Sequence, residues 1–151
     1  MTKEELKTAL QTEYPSLQFE DGNEWLTAYV DGPAWHELAA KLRFDDNKSF
    51  DYLFCLTCVD WKTHLTMVYH LTSTSSRQIL VVKSKLDRNN PEISSVSDIW
   101  KTADFHEREV YELFGVKFLG HPDLRKLILP DDWIGFPLRK DYEDPVNMIK
   151  L

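Results

Sequence analysis

The chain has 151 residues, of which 42% are apolar and 13% are aromatic. This is enough apolar material for the core of one domain, so the composition excludes a wholly disordered chain. The formal net charge is −7, and the acidic residues are spread along the sequence. Because a nucleic-acid partner requires a basic stripe, the charge disfavours nucleic-acid binding.

The sequence contains no stretch near the roughly 20 apolar residues that cross a membrane, and its N-terminus alternates charged with apolar residues. Cys55 and Cys58 are its only cysteines, too few for a disulfide-stapled secreted scaffold. These features predict a protein that is made and kept in the cytoplasm, with no direct insertion into a membrane.

The predicted elements begin with an amphipathic helix over residues 1–14, which we expect to be peripheral and which Pro15 ends. A run of aromatic and β-favouring residues at 25–30 predicts a strand. Pro33 then suits the first turn of a helix over residues 33–44, in which apolar residues recur at helical spacing. We expect this second helix to pack on a sheet.

Three apolar runs predict the central strands of that sheet, at 52–61, 65–71 and 78–86. The connections between them are short and polar, as antiparallel neighbours joined by hairpins require. Ser95 and Asp98 then form a helix-start signature. The helix they predict carries a candidate break near Asp104 and ends at Gly115.

The remaining residues, 116–151, combine four prolines and several turn signals with large apolar side chains, and no regular element fits there. The chain has no internal repeat and no Gly/Ser linker. We therefore predict an α+β fold, a single domain with a mostly antiparallel sheet flanked by helices. Its core domain covers residues 1–115, and an extended C-terminal docking arm covers residues 116–151.

Catalytic and metal-binding patterns are weak. Cys55 and Cys58 have the spacing of a zinc or redox pair, but on a strand they point to opposite faces, which favours core thiols. His106 and Glu109 lie three apart on the last helix, yet two ligands are too few for a metal site. The sequence lacks glycine-rich nucleotide-binding motifs, and two cysteines cannot hold an iron–sulfur cluster. We predict no catalytic residue, no metal site and no cofactor in this chain.

Residues 106–142 carry the chemistry of recognition. Arg108 and Glu112 lie four apart, a favourable spacing for a helical ion pair. Glu109 lies near an apolar stripe and, if buried, needs an arginine or backbone donors. The alternative is a solvated helix followed by an ordinary surface loop. Against it stand many large apolar residues that the arm cannot hide within its own secondary structure: Phe118, Leu119, Leu124, Leu127, Ile128, Leu129, Trp133, Ile134, Phe136 and Leu138. This composition favours a protein–protein contact.

Three blocks of sequence carry a family resemblance: EREVYELFG at 107–115, HPDLR at 121–125 and PLRKDY at 137–142. In this order and spacing they resemble the signature of the C-type subunit of NADH-quinone oxidoreductase, the 30 kDa subunit family of respiratory complex I. Weaker similarity extends the resemblance over residues 25–145. Two departures are Glu112, where the family usually has Asp, and Lys126, where Arg is common.

The resemblance implies a peripheral-arm subunit that has an α+β fold and carries no flavin, cluster or metal. FMN and iron–sulfur clusters are expected in partner subunits. The implied partners are chiefly the D-type subunit and the B-type subunit that carries the terminal cluster, on the cytoplasmic side of the bacterial inner membrane. The resemblance and the arm's composition together predict the following interface residues: Glu107, Arg108, Glu109, Phe114, Gly115, His121, Pro122, Asp123, Leu124, Arg125, Pro137, Leu138, Arg139, Lys140 and Asp141. We expect the arginines and Lys140 to pair with carboxylates in the arm or on the partner.

Enzymatic work, NADH oxidation coupled to quinone reduction and ion translocation, is then expected of the assembly and not of the isolated chain. Two alternatives stay open. The first is the equivalent subunit of a membrane-bound hydrogenase, a formate hydrogenlyase or a ferredoxin- or F420-linked complex. The second is a free-standing enzyme with an unrecognised pocket.

Overall fold

The central sheet has five strands, and the computed structural model describes residues 2–143. The strands are β1 (Gln18–Glu20), β2 (Leu26–Tyr29), β3 (Tyr52–Asp60), β4 (Leu65–Thr72) and β5 (Ile79–Leu86). Their order is β1-β2-β5-β4-β3. Only β2 and β5 pair in parallel among these neighbours, so the prediction of a mostly antiparallel sheet is confirmed. The predicted hairpin connections between β3, β4 and β5 are confirmed as well.

Alternation along the strands builds the core on one face of the sheet. In β4, Leu65, Met67, Tyr69 and Leu71 are all fully buried, as the two-residue period of a strand dictates. Helix α2 (Gly32–Phe44) lies on this face and begins one residue before the predicted proline, which lies in its first turn. Its Trp35 packs against Tyr69, with ring centroids 4.6 Å apart. The second predicted helix and its packing on the sheet are thus confirmed.

Helix α1 (Lys3–Glu13) begins with a reciprocal cap, in which the Thr2 side chain accepts from the Glu5 backbone and the Glu5 side chain accepts from the Thr2 backbone. We expected this helix to be peripheral. Instead, Leu6 and Leu10 are buried and belong to the main core. Two leucines four residues apart share one face of a helix, and here that face joins the hydrophobic core.

Residues 95–102, the first part of the predicted helix, are not helical. The Ser95 N–H donates to the Leu119 carbonyl, and the segment then folds into turns. The Trp100 indole N–H donates to the Phe50 carbonyl at 2.9 Å. These tertiary hydrogen bonds override the local helix-start signal, and helix α3 begins only at Ala103 and runs to Phe114. It ends, as predicted, at Gly115, which has a left-handed φ of 78°.

A second, two-stranded sheet corrects the expectation that no regular element follows Gly115. Strand β6 (Glu92–Ser94) pairs in parallel with β7 (Lys117–Leu119). Val116 and Phe118 are buried beside them, so residues 116–119 pack with the core. The division into domains at 115/116 stays a prediction, and the predicted arm beyond residue 143 lies outside the described residues. Within residues 2–143, no helix has the length and hydropathy that crossing a membrane requires.

Replacing Leu10 by Ala tests whether α1 belongs to the core. Because the Leu10 side chain is fully buried, we expect the free energy of unfolding to fall by about 2–5 kcal/mol. Urea denaturation followed by circular dichroism measures this loss. Gln11→Ala, an exposed change on the same helix, is the control and should alter stability by less than about 0.5 kcal/mol. Equal effects of the two substitutions would contradict the packing of α1.

Candidate docking site

The candidate docking site consists of helix α3 and residues 120–143, which we call the described arm. The described arm has no helix or strand, so its backbone polar groups need partners outside regular secondary structure. Two charged side chains of α3 meet part of that need.

The first of these side chains is Glu112, which is 1% exposed. Its carboxylate accepts hydrogen bonds from three consecutive backbone N–H groups, those of Leu127 at 2.9 Å, Ile128 at 3.0 Å and Leu129 at 3.1 Å. Backbone donors thus satisfy a charge that burial alone would make costly. The arm loop at 127–129 folds around this carboxylate.

Arg108 holds the residues just before that loop. Its guanidinium donates to the Arg125 carbonyl at 3.1 Å and to the Lys126 carbonyl at 3.2 Å. The predicted ion pair between Arg108 and Glu112 is therefore wrong. The two side chains lie one helical turn apart. The Glu112 carboxylate accepts hydrogen bonds from N–H groups of the arm, and the Arg108 guanidinium donates to its carbonyls.

A second attachment lies at the C-terminal end of α3, where the last carbonyls of a helix lack intrahelical partners. The Leu138 N–H donates to the Leu113 carbonyl at 3.0 Å, and the Arg139 Nε donates to the Phe114 carbonyl at 2.6 Å. A positive charge is favourable at this end of a helix. Arg139 also lies over the Phe136 ring, 4.9 Å from its centre. Within the described residues the Arg139 side chain thus binds its own chain, and its pairing with a carboxylate of a partner stays a prediction.

A third attachment joins the described arm to the end of the sheet. Asp60, the last residue of β3, accepts from the Lys140 N–H at 2.8 Å and from the Arg88 guanidinium. Arg88 in turn lies 3.0 Å from the Asp141 carboxylate. Burial acts to raise the pKa of Asp60, but hydrogen bonds from Arg88 and from the Lys140 and Lys62 backbones outweigh it and lower the pKa to about 2.

The attachments leave large apolar side chains facing outward. Ile134 is 89% exposed and Ile128 is 69% exposed, and Leu138 and Phe136 are also exposed. Between them, the Lys126 ammonium donates to the carbonyls of residues 130, 131 and 133 and closes the turn that carries Ile134. The described arm is thus held by polar contacts within the chain while it presents apolar groups to the surroundings. We call Ile128, Ile134, Phe136 and Leu138 the apolar tip.

A buried acidic group lies on the opposite side of α3. Glu107 is 0% exposed and accepts from the Ser95 hydroxyl at 2.6 Å and from the Val96 N–H at 3.0 Å. Burial raises the pKa of Glu107 to about 7, and the negative charges of Asp104 and Asp98 add to this rise, against the two hydrogen bonds. Glu107 therefore ties α3 to the turn after β6.

His121 lies beside Glu107 at the start of the described arm, and its side chain is 0% exposed. Its Nε2 donates to the Asp104 carbonyl at 3.3 Å and lies 3.0 Å from the Asp104 carboxylate and 4.0 Å from Glu107. Its Nδ1 accepts from the Asp123 N–H at 3.0 Å. One nitrogen donates and the other accepts, which fits the neutral imidazole. The histidine fixes the turn with which the arm begins.

The other predicted residues differ in their exposure and in their contacts. Glu109 is exposed, so it does not need the partners that burial would have required, and Glu107 and Glu112 are the buried acids of α3. Arg125 pairs with the Asp123 carboxylate at 3.0 Å, as expected for that arginine. The remainder divide by exposure: Phe114 is buried, Leu124 and Pro137 are half-buried, and Pro122, Asp123 and Asp141 are exposed. Their role in docking stays a prediction.

The described residues contain no group of three or more His, Cys, Asp or Glu that could hold a metal ion. Cys58 is buried and Cys55 is half-buried, so the core-thiol interpretation holds fully for Cys58 alone. Sequence reasoning missed Asp60 and Arg88 as arm contacts. They lie 28 residues apart, and no motif in the sequence joins them to the arm.

Comparison with known proteins shows the family of the chain. Residues 28–146 match the family model described as respiratory-chain NADH dehydrogenase, 30 Kd subunit. The match covers well over half of the chain, and the chain belongs to this family. The resemblance found in the three sequence blocks is thereby confirmed.

Three curated relatives illustrate the range of the family. The chain is 49% identical over 118 residues to the fused C/D-type subunit of the NADH-quinone oxidoreductase of Phocaeicola vulgatus, covering 77% of this chain and 22% of that protein. It is 40% identical to the C-type NADH-quinone oxidoreductase subunit of Moorella thermoacetica, covering 88% and 90%. It is 41% identical to the C-type F(420)H(2) dehydrogenase subunit of Methanosarcina mazei, covering 78% and 75%. The chain spans from about a fifth to about half the length of several such relatives.

Two solved structures share the fold. A trypsin-resistant fragment of Nqo5 has a TM-score of 0.69 and 26% identity, covering 79% of this chain and 98% of that chain. A chain of the archaeal membrane-bound sulfane sulfur reductase has a TM-score of 0.78 and 26% identity, covering 93% and 85%. The α+β fold with a five-stranded sheet is therefore a shared fold of this family and its structural neighbours.

Replacing Glu107 by Gln tests the buried carboxyl group. Its pKa is raised in the folded protein, from 4.5 to about 7, so the folded state binds the proton more tightly than the unfolded state. The stability that this group contributes is present below pH 4.5 and is lost as pH rises to about 7. We expect the free energy of unfolding of the unaltered chain, relative to Glu107→Gln, to fall by about 3 kcal/mol across this window. Urea titrations at several pH values measure it, and a pH-independent difference would contradict the assignment.

Replacing Gly115 by Ala tests the contact between α3 and the apolar tip. A Cβ at this position would lie 2.6 Å from the Phe136 ring, so the ring must move away. Gly120→Ala is a matched control, since Gly120 has a similar φ of 81° but nothing within 4 Å of the added carbon. The left-handed backbone costs each variant about 1–2 kcal/mol. We expect Gly115→Ala, but not Gly120→Ala, to shift the NMR signals of residues 134–139 relative to the unaltered chain. The contact would be contradicted if the two variants shifted these signals equally or if neither did.

Proposed function

We propose that this chain is a docking subunit of an NADH:quinone oxidoreductase and that it carries no redox group of its own. The observation that supports this is the described arm: its backbone is held by α3 and the sheet, while its apolar tip is exposed. Exposed apolar groups held in one conformation are typical of a binding surface, because a rigid anchor loses little entropy when it is covered.

The D-type subunit is the proposed partner for the apolar tip. The family relative from Phocaeicola vulgatus has a name that joins the C and D types, and in such a fusion the two units belong to one chain. Only the sequence resemblance supports the proposed association with the B-type subunit, which carries the cluster. In this proposal NADH oxidation and quinone reduction belong to the assembly, which associates with the cytoplasmic side of a bacterial membrane.

A second candidate is the equivalent subunit of a complex with a different electron donor. It is favoured by the 41% identity to the F(420)H(2) dehydrogenase relative and by the similarity to a chain of the sulfane sulfur reductase. Mass spectrometry of the native complex purified through this chain discriminates the two. NADH- and flavin-binding subunits in the purified complex support the first candidate, whereas a nickel-containing large subunit or an F420-binding subunit supports the second.

Replacing Ile134 by Ser tests docking through the apolar tip. The side chain is 89% exposed, so the isolated chain should keep its stability, while removing a buried interface anchor should weaken binding to the D-type subunit at least tenfold, about 1.4 kcal/mol. Affinity is measured by titrating the full chain against the purified D-type subunit. Phe44→Ser is the matched control, because Phe44 is 70% exposed on α2 and lies outside the docking site. Loss of binding in both variants, or in neither, would count against the proposed surface.

A further inference from the structure

The attachment at the sheet end differs from the two on α3 because it unites residues from three parts of the chain. We call Asp60, Arg88, Lys140 and Asp141 the sheet-end clamp. Arg88 bridges two carboxylates, one buried at the end of β3 and one exposed on the arm, and the Lys140 N–H reaches the buried one directly. Asp60 also accepts from the Lys62 N–H at 2.7 Å, which fixes the orientation of its carboxylate.

We propose that Asp60 and Arg88 are positioning residues that set the docking conformation of the arm before a partner arrives. This inference rests on the proposed function. The two residues need not touch the partner: they act through the backbone of residues 138–141, whose direction in turn places Phe136 and Ile134.

The geometry of three consecutive residues supports this role. The Leu138 N–H and the Arg139 side chain are bound to the end of α3, while the Lys140 N–H is bound to the sheet. Adjacent residues attached to two different elements leave the backbone few alternative paths. Without the clamp, residues 138–141 would be held at the end of α3 alone, and the backbone that leads back to Phe136 would lose one of its two attachments.

The Asp60 carboxylate is also ionised at neutral pH. Burial opposes the charge of Asp60, yet Arg88 and the two backbone donors keep the pKa of Asp60 low, and Asp60 and Asp141 raise the pKa of Arg88. The contact between Asp60 and Arg88 should therefore persist throughout the pH range around neutrality. Glu107 differs in this respect, because its pKa of about 7 means that it gains or loses a proton near neutrality.

The core does not need the clamp for its own cohesion. Strands β3 and β5 are both paired along their length with β4, whereas the clamp adds contacts at the strand ends and to the arm. Losing the clamp should lower the fraction of molecules in the docking conformation. The apparent dissociation constant then rises in inverse proportion to that fraction, so a tenfold drop in the fraction gives a tenfold weaker complex.

The test measures binding of the full chain to the D-type subunit with Arg88→Gln, Arg88→Lys and the control Lys85→Gln, an exposed cation on β5. Hydrogen exchange at the Lys140 amide reports the clamp independently of binding. We expect Arg88→Gln to speed this exchange at least tenfold and to weaken binding about tenfold, mainly through a slower association rate. It should also lower stability to urea relative to Lys85→Gln, because the buried Asp60 carboxylate loses its cation. Arg88→Lys should fall between.

A second variant keeps the test informative should Arg88→Gln fold poorly. Asp141→Asn removes the exposed half of the bridge and leaves buried Asp60 untouched, and it should weaken binding several-fold. Faster exchange at Lys140 with unchanged affinity and association rate would overturn the inference while the proposed function stands. Failure of the unaltered chain to bind the D-type subunit would overturn the proposed function and this inference together.

Discussion

The burial of Glu112 against three backbone N–H groups is the interaction on which the docking site depends. A loop without helix or strand cannot satisfy its own backbone, and each unpaired buried N–H group would cost about 1–3 kcal/mol. Glu112 meets this need for residues 127–129, and Arg108 meets it for the carbonyls of 125 and 126. Helix α3 thus provides the arm with hydrogen-bond partners that a neighbouring strand would otherwise provide.

This arrangement separates two tasks that usually compete. Polar contacts hold the arm to its own domain. The apolar side chains of the tip are therefore not needed for this attachment, and they stay exposed. An arm attached by apolar packing would bury the same groups that a partner needs. The division also explains why charged residues cluster in the signature blocks although the surface that they build is apolar: Glu112 and Arg139 contact backbone groups of their own chain.

Sequence reasoning predicted the sheet and α2 because their signals are local: apolar runs joined by short polar connections for the strands, and a proline followed by apolar residues at helical spacing for α2. It placed the start of α3 too early because Ser95 and Trp100 make hydrogen bonds to distant residues, which no local pattern encodes. It did not indicate that Glu107 and Glu112 are buried, since side-chain spacing alone does not tell which face of a helix a loop will cover. The sequence did not indicate Asp60 and Arg88 as arm contacts, because they are distant from the arm along the chain and meet it only in the folded structure.

The Lys126 side chain has a consequence for how this loop can vary among relatives. Its ammonium group meets three carbonyls, those of residues 130, 131 and 133, from one central point, which suits a compact cation with three donors. An arginine has a flat, wider group that cannot occupy the same centre. The turn at 130–133 and the residue at position 126 are therefore matched as a pair, so an arginine at position 126 would require a turn of a different shape.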